Sequence, residues 1–164
     1  MSTSSMRPVV IGGLIAGLLD LLFALSFAGA NGVGPVRVFQ TIASGWLGNA
    51  AYDGGMTTAA IGLVSHFALA LIWAFVFLAA ARRLPALVAH PVVAGIVFGA
   101  VVFFVMRLVV LPLSAYPRPV TFKPLSTALD LASHTLLFGL PIAFAVRRAL
   151  RGRGDAAMAM PASA

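Results

Sequence analysis

Four apolar runs of about twenty residues each leave this chain almost no choice of environment. The runs cover roughly Pro8–Ala28, Thr58–Ala81, Pro91–Leu113 and Leu125–Val146. A helix needs ~20 residues to cross a hydrocarbon core ~30 Å thick, whereas barrel strands would alternate over ~10-residue segments. Apolar residues make up 61% of the chain and charged ones 9%, a balance that cannot give a soluble domain a wettable surface. These features predict an all-α, polytopic membrane protein: one four-helix transmembrane domain over residues 1–150, with residues 151–164 as a flexible cytoplasmic tail. The bilayer is its first partner.

Charge then sets orientation. The net charge is +7, from eleven Lys and Arg against four Asp. In a soluble chain this would suggest nucleic acid, but here the basic residues gather at span ends, where they act as topology determinants. Arg7, Arg82, Arg83, Arg147, Arg148, Arg151 and Arg153 fall on one side, against Arg37, Arg118 and Lys123 on the other. Positive-inside bias places both termini in the cytoplasm. A signal peptide ending at Ala28-Gly29-Ala30 competes for the first run. Its length and its central Asp20 favour a retained span, because a signal h-region is ~7–15 residues and uncharged.

Between the first two spans, Phe39, Ile42, Ala43, Trp46, Leu47 and Ala50 recur at helical spacing after Pro35, with Arg37, Gln40, Thr41 and Ser44 opposite. The pattern predicts a short external amphipathic helix lying at the interface, with Trp46 as its anchor. Pro8-Val9-Val10 before Gly12 matches Pro91-Val92-Val93 before Gly95, and Ser65-His66 before Arg82-Arg83 matches Ser133-His134 before Arg147-Arg148. The matches suggest a parallel tandem repeat of two helices, with chance resemblance between apolar helices as the other reading.

Five ionisable residues lie inside the runs: Asp20, His66, Arg107, Asp130 and His134. Each costs roughly 2.5–3.5 kcal/mol to insert unless it is paired or faces a polar interior. A rise of ~1.5 Å per residue puts them at depths of roughly 18, 24, 24, 26 and 20 Å from the cytoplasmic surface, one shared layer in the outer half of the membrane. Asp130 and His134 are four apart on one helix face and can meet, either as a proton-accepting pair or as separate structural contacts. Asp20 and Arg107 are expected to form an interhelical ion pair. Gly13 with Gly17 and Gly95 with Gly99 are small-residue pairs that allow close helix approach. Pro141 removes the backbone donor to Leu137 and is expected to kink the fourth span.

With no Cys, thiolate metal sites, disulfides and thiol catalysis are excluded. No phosphate-binding glycine loop, zinc-protease helix or nucleophile elbow is present, and Ser65 and Ser133 diverge by about 100° from their neighbouring histidines, so enzymatic chemistry has little support. No cofactor or metal is called for. Three functions remain open: small transport or a proton-linked role, a haem-b electron carrier with His66 and His134 as axial ligands, and a non-catalytic structural subunit. The last would bind a second copy or another membrane protein through its glycine faces.

The Gly13–Gly17 opening, the His66 span ending in basic residues, the third span closing on Leu111-Pro112-Leu113, and Asp130 with His134 before Arg147-Arg148 together resemble the YagU-like family of uncharacterised bacterial inner-membrane proteins. The resemblance covers roughly Pro8 to Arg148 and implies location in a bacterial inner membrane. It carries no catalytic or ligand residues.

Overall fold

The computed structural model describes residues 3–158, with side chains described over residues 6–151. Four helices are long and apolar enough to cross a membrane: Met6–Ala30, Gly55–Arg83, Pro91–Leu113 and Pro124–Arg151. Large apolar side chains such as Ile11, Ile15, Leu18, Val64, Ile72 and Val93 point outward from them. A contiguous apolar exterior of this kind requires lipid around it, and the architecture is that of an integral membrane protein.

The first span lies in α1 (Thr3–Ala30), followed by the connecting helix α2 (Pro35–Leu47) and the second span, α3 (Gly55–Arg83). A short helix, α4 (Pro85–Ala89), leads into the third span, α5 (Pro91–Leu113). The fourth, α6, begins at Pro124 and runs to Met158, into the stretch that the sequence suggests is a tail; residues 159–164 of that stretch lie outside the described residues. Proline opens α2, α4, α5 and α6, where its missing N–H costs nothing and its fixed φ suits a first helical turn. Gly48, at φ 58°, ends α2 and returns its N–H to Ser44 O.

Small residues set the packing. Gly13 and Gly17 bring α1 against Ala74 and Ala70 of α3, Gly12 brings it against Ala145 of α6, and Gly95 and Gly99 bring α5 against the α6 backbone between His134 and Leu140. In lipid, where apolar burial gains little, such close contact is the main source of helix association. Phe77, Phe103, Ile142 and Val146 fill the spaces between. Between α3 and α5 the contact is aromatic: Phe98 packs edge-on against Trp73 and Phe77 in the half nearer Arg83. Toward the opposite end, which carries α2 and the Ser114–Lys123 loop, α3 and α5 leave a cavity of about 780 Å³.

Two expectations about backbone and faces are corrected. The polar side of α2 is divided: Gln40 is 5% exposed and Ser44 fully buried, while Arg37 stays exposed, and Trp46 of the apolar side is 67% exposed. The cause is Gly62 of α3, where a Cβ would overlap the Phe39 carbonyl. Its absence lets α2 lie against α3 on its polar edge, with Gln40 Nε2 donating to Gly55 O at 3.2 Å. The expected kink at Pro141 takes the form of a π-helical segment, Ser133–Gly139, and a second one, Met106–Val110, precedes Pro112. Each proline deprives the preceding turn of a donor, and the wider π turn re-pairs the carbonyls; the N–H of Leu140 reaches Thr135 O and that of Leu111 reaches Met106 O.

Candidate functional site

The two π segments flank a cluster that joins α1, α5 and α6. Asp130 leaves the last regular turn of α6 before its π segment, and His134 follows four residues later. Three oxygens converge on His134 Nδ1: Asp130 O at 3.0 Å, Asp130 Oδ1 at 3.2 Å and Asp20 Oδ1 at 3.7 Å. Acceptors surround this nitrogen, so it carries a proton. The neighbouring Ser133 is 2% exposed and donates its hydroxyl to Asp20 Oδ1 at 2.8 Å. Phe103 meets the imidazole edge-on at 5.6 Å, and Phe138 lies at 6.2 Å, so the ring sits in an aromatic cleft.

Arg107 does not pair with Asp20. Its Nε lies 3.4 Å from Asp130 Oδ2, and a terminal nitrogen donates to Thr121 O in the following loop at 3.0 Å. The planar fork of the guanidinium therefore ties the carboxylate to the loop, and its faces lie 5.2 and 5.3 Å from the Phe103 and Phe122 rings. The expected Asp20–Arg107 pair fails because the rotation of α5 about its own axis turns Arg107 toward α6 and the loop. Asp20 finds Ser133 and His134 instead.

The result is a line of alternating groups: Ser133, Asp20, His134, Asp130, Arg107. Two carboxyl groups, one guanidinium and one imidazole thus share a single contact network. Access is graded along the line. The side chain of Asp20 is 15% exposed, His134 18%, Arg107 23% and Asp130 32%. Asp130, at the α2 end, is the most exposed of these four side chains.

His66 stands apart from this cluster. Its Nε2 lies 2.8 Å from Gly17 O, so the ring spends one nitrogen on holding α3 to α1, and it packs edge-on against Phe67 at 5.4 Å. Its exposed edge lines the cavity between α3 and α5. Of the five intramembrane ionisable residues, the structure joins Asp20, Arg107, Asp130 and His134. No group of three or more His, Asp or Glu able to hold a metal ion occurs among the described residues.

Ser133 is the participant that sequence spacing misses. On a regular α-helix a residue and its neighbour diverge by about 100°, which would send Ser133 away from whatever His134 touches. The π turn that starts at Ser133 narrows that angle, and both side chains reach the same carboxylate. Pro141 downstream is the one sequence signal that could have located it. No family model, curated protein or solved structure matches the chain.

Proposed function

We propose that the chain is a multi-pass protein of a bacterial inner membrane, with both termini in the cytoplasm, that uses its polar cluster for a proton-linked transport role. The observation that carries this reading is His134 Nδ1 held between two carboxylates from different helices, 3.2 Å from Asp130 and 3.7 Å from Asp20. With His134 as imidazolium, Nδ1–H first gives its proton to Asp20 Oδ1, leaving neutral imidazole with its proton on Nε2, and the vacated Nδ1 then takes a proton arriving on Asp130 Oδ1. One proton thereby moves from a half-exposed carboxylate to a more buried one, and His134 returns to its starting charge. Ser133 fixes the receiving oxygen by hydrogen bonding to it. Arg107 holds the Asp130 carboxyl in place through its 3.4 Å contact.

Purely architectural ion pairs need no titratable group between them, and a second arginine at position 134 would neutralise the carboxylates more simply. A histidine there supplies a ring that can take up and release a proton. The π segments on both sides of the cluster add the second ingredient of a transporter, backbone that can re-register without breaking a regular ladder.

The test is proton flux in reconstituted vesicles carrying an internal pH dye. Wild-type protein should dissipate an imposed pH gradient faster than empty vesicles, His134→Gln should abolish the difference, and His66→Gln should leave it. Equal rates for wild-type and His134→Gln vesicles, with both proteins folded and inserted, would refute the relay.

A further inference from the structure

At the α2 end, the cavity between α3 and α5 meets a pair of arginines that the polar cluster does not use. The walls of the cavity are mostly aliphatic, from Leu69, Met106, Val109 and their neighbours, and its polar groups are few: Thr41, His66, Ser114 and Tyr116 among them. At about 780 Å³ it lies within the ~300–1,000 Å³ of ordinary ligand sites. Two cations stand close in sequence to residues that line it. Arg37 lies one turn before Thr41 on α2, and Arg118 two residues after Tyr116.

Both guanidiniums converge on one ring, that of Tyr52, with Arg37 at 3.8 Å and Arg118 at 5.1 Å from its centre. Like charges gathered around one ring repel, yet no carboxylate among the described residues lies within ion-pair distance of either. Both remain exposed. Thr41 links the two features, since it lines the cavity and its hydroxyl is beside that of Tyr52. The Tyr52 hydroxyl is buried, and the Ser44 and Thr41 hydroxyls lie close to it without completing a hydrogen bond of good geometry. Burial alone would push this phenol up. The hydroxyl neighbours and, after them, the two arginines outweigh it and hold the pKa below the usual 10.0.

We infer that this cavity and its rim form a lateral binding site for an anionic phospholipid, with one acyl chain in the slot between α3 and α5 and the phosphate at Arg37 and Arg118. An aliphatic slot takes a chain without any polar group to satisfy, and two unneutralised guanidiniums take a phosphate by charge-assisted hydrogen bonds. Zwitterionic lipids would fill the slot but bring a cationic group to the same rim. The inference does not rest on the proton relay.

Trp46 lines the cavity and reports on it directly. In a Trp73→Phe background, quenching of Trp46 by bromine-labelled acyl chains would be titrated in detergent-solubilised full-length protein with phosphatidylglycerol and with phosphatidylcholine. The exposed face of Trp46 gives equal background quenching by both lipids, so the readout is the difference. Phosphatidylglycerol should half-quench at a mole fraction at least about 5-fold lower, a preference of about 1 kcal/mol. Arg37→Gln with Arg118→Gln should erase the preference. Arg118→Gln alone, on an exposed loop, should reduce it several-fold and guards against a folding defect in the double variant. Val109→Phe, which fills the slot, should weaken quenching by phosphatidylglycerol, and excess inorganic phosphate should not displace the lipid. Equal quenching by the two lipids, a preference that survives loss of both arginines, or displacement by phosphate alone would overturn the inference.

Discussion

Gly99→Ala isolates the contact on which the polar cluster depends. A Cβ at residue 99 would overlap the His134 carbonyl oxygen and stand 2.6 Å from Thr135 Cα, where ordinary contacts are 3.4–4 Å. Both obstacles are backbone atoms in a π segment, so no rotamer change relieves them, and α5 must withdraw from α6 by ~1 Å. A gap of ~0.5–1 Å forfeits a quarter to a half of each contact across the seam, and overpacking of this kind costs ~1–3 kcal/mol. Against it, alanine is favoured over glycine inside a helix by ~1 kcal/mol. The net loss should be about 1 kcal/mol and at most about 2. Gly13→Ala is the matched control: its Cβ would meet side-chain atoms, Ala74 Cβ at 3.0 Å and Leu71 Cδ2 at 3.2 Å, which can shift by a few tenths of an ångström. Its net effect should stay within ~0.5 kcal/mol. Denaturant titration in detergent micelles, followed by far-UV circular dichroism, measures both. Gly99→Ala matching Gly13→Ala in stability would refute the close α5–α6 seam.

Other consequences follow from single contacts. His66→Ala removes the bond to Gly17 O and should cost ~1 kcal/mol in the same titration while leaving proton flux unchanged. Tyr52 titrates below its unfolded pKa, so its stabilising contribution is absent below the folded pKa and grows as pH rises through it toward and past 10.0; Tyr52→Phe should flatten the stability profile in that alkaline window, and Arg118→Gln should move the onset of tyrosinate absorbance upward. Orientation is checked in intact cells with an impermeant thiol reagent: Arg118→Cys should label and Pro85→Cys should not, and the reverse pattern would invert the topology.

The spans were legible because hydrophobic length is a one-dimensional signal. The third, Pro91–Leu113, has the bounds expected from its apolar run, and the others extend beyond theirs by a few polar or weakly apolar residues such as Gly55 and Arg82. Depth was legible for the same reason, since helical rise alone puts Asp20, Arg107, Asp130 and His134 in one layer. Partner choice was not. It depends on how each helix is rotated about its axis, and rotation is set by Gly99 seating α5 on α6 and by π turns that shift the register after Met106 and Ser133. Depth held one unused hint: Arg107 and Asp130, at roughly 24 and 26 Å, were closer than Arg107 and Asp20 at 18 Å. The buried polar edge of α2 was hidden for a different reason. An amphipathic pattern shows that two faces differ, and only the bare surface at Gly62 decides which of them meets protein.

The proton path requires the charges to be wired as Asp20–His134–Asp130–Arg107, and a pair of double-mutant cycles measures that wiring. Stability in micelles would be compared for Arg107→Gln with Asp130→Asn, and for Arg107→Gln with Asp20→Asn. The 3.4 Å contact predicts a coupling energy of at least ~1 kcal/mol for Arg107 with Asp130, because each single variant leaves an unpaired charge in a low-dielectric layer. Arg107 with Asp20 should be additive within ~0.5 kcal/mol. Strong coupling between Arg107 and Asp20, together with additivity between Arg107 and Asp130, would contradict the arrangement of the cluster and the proton path built on it.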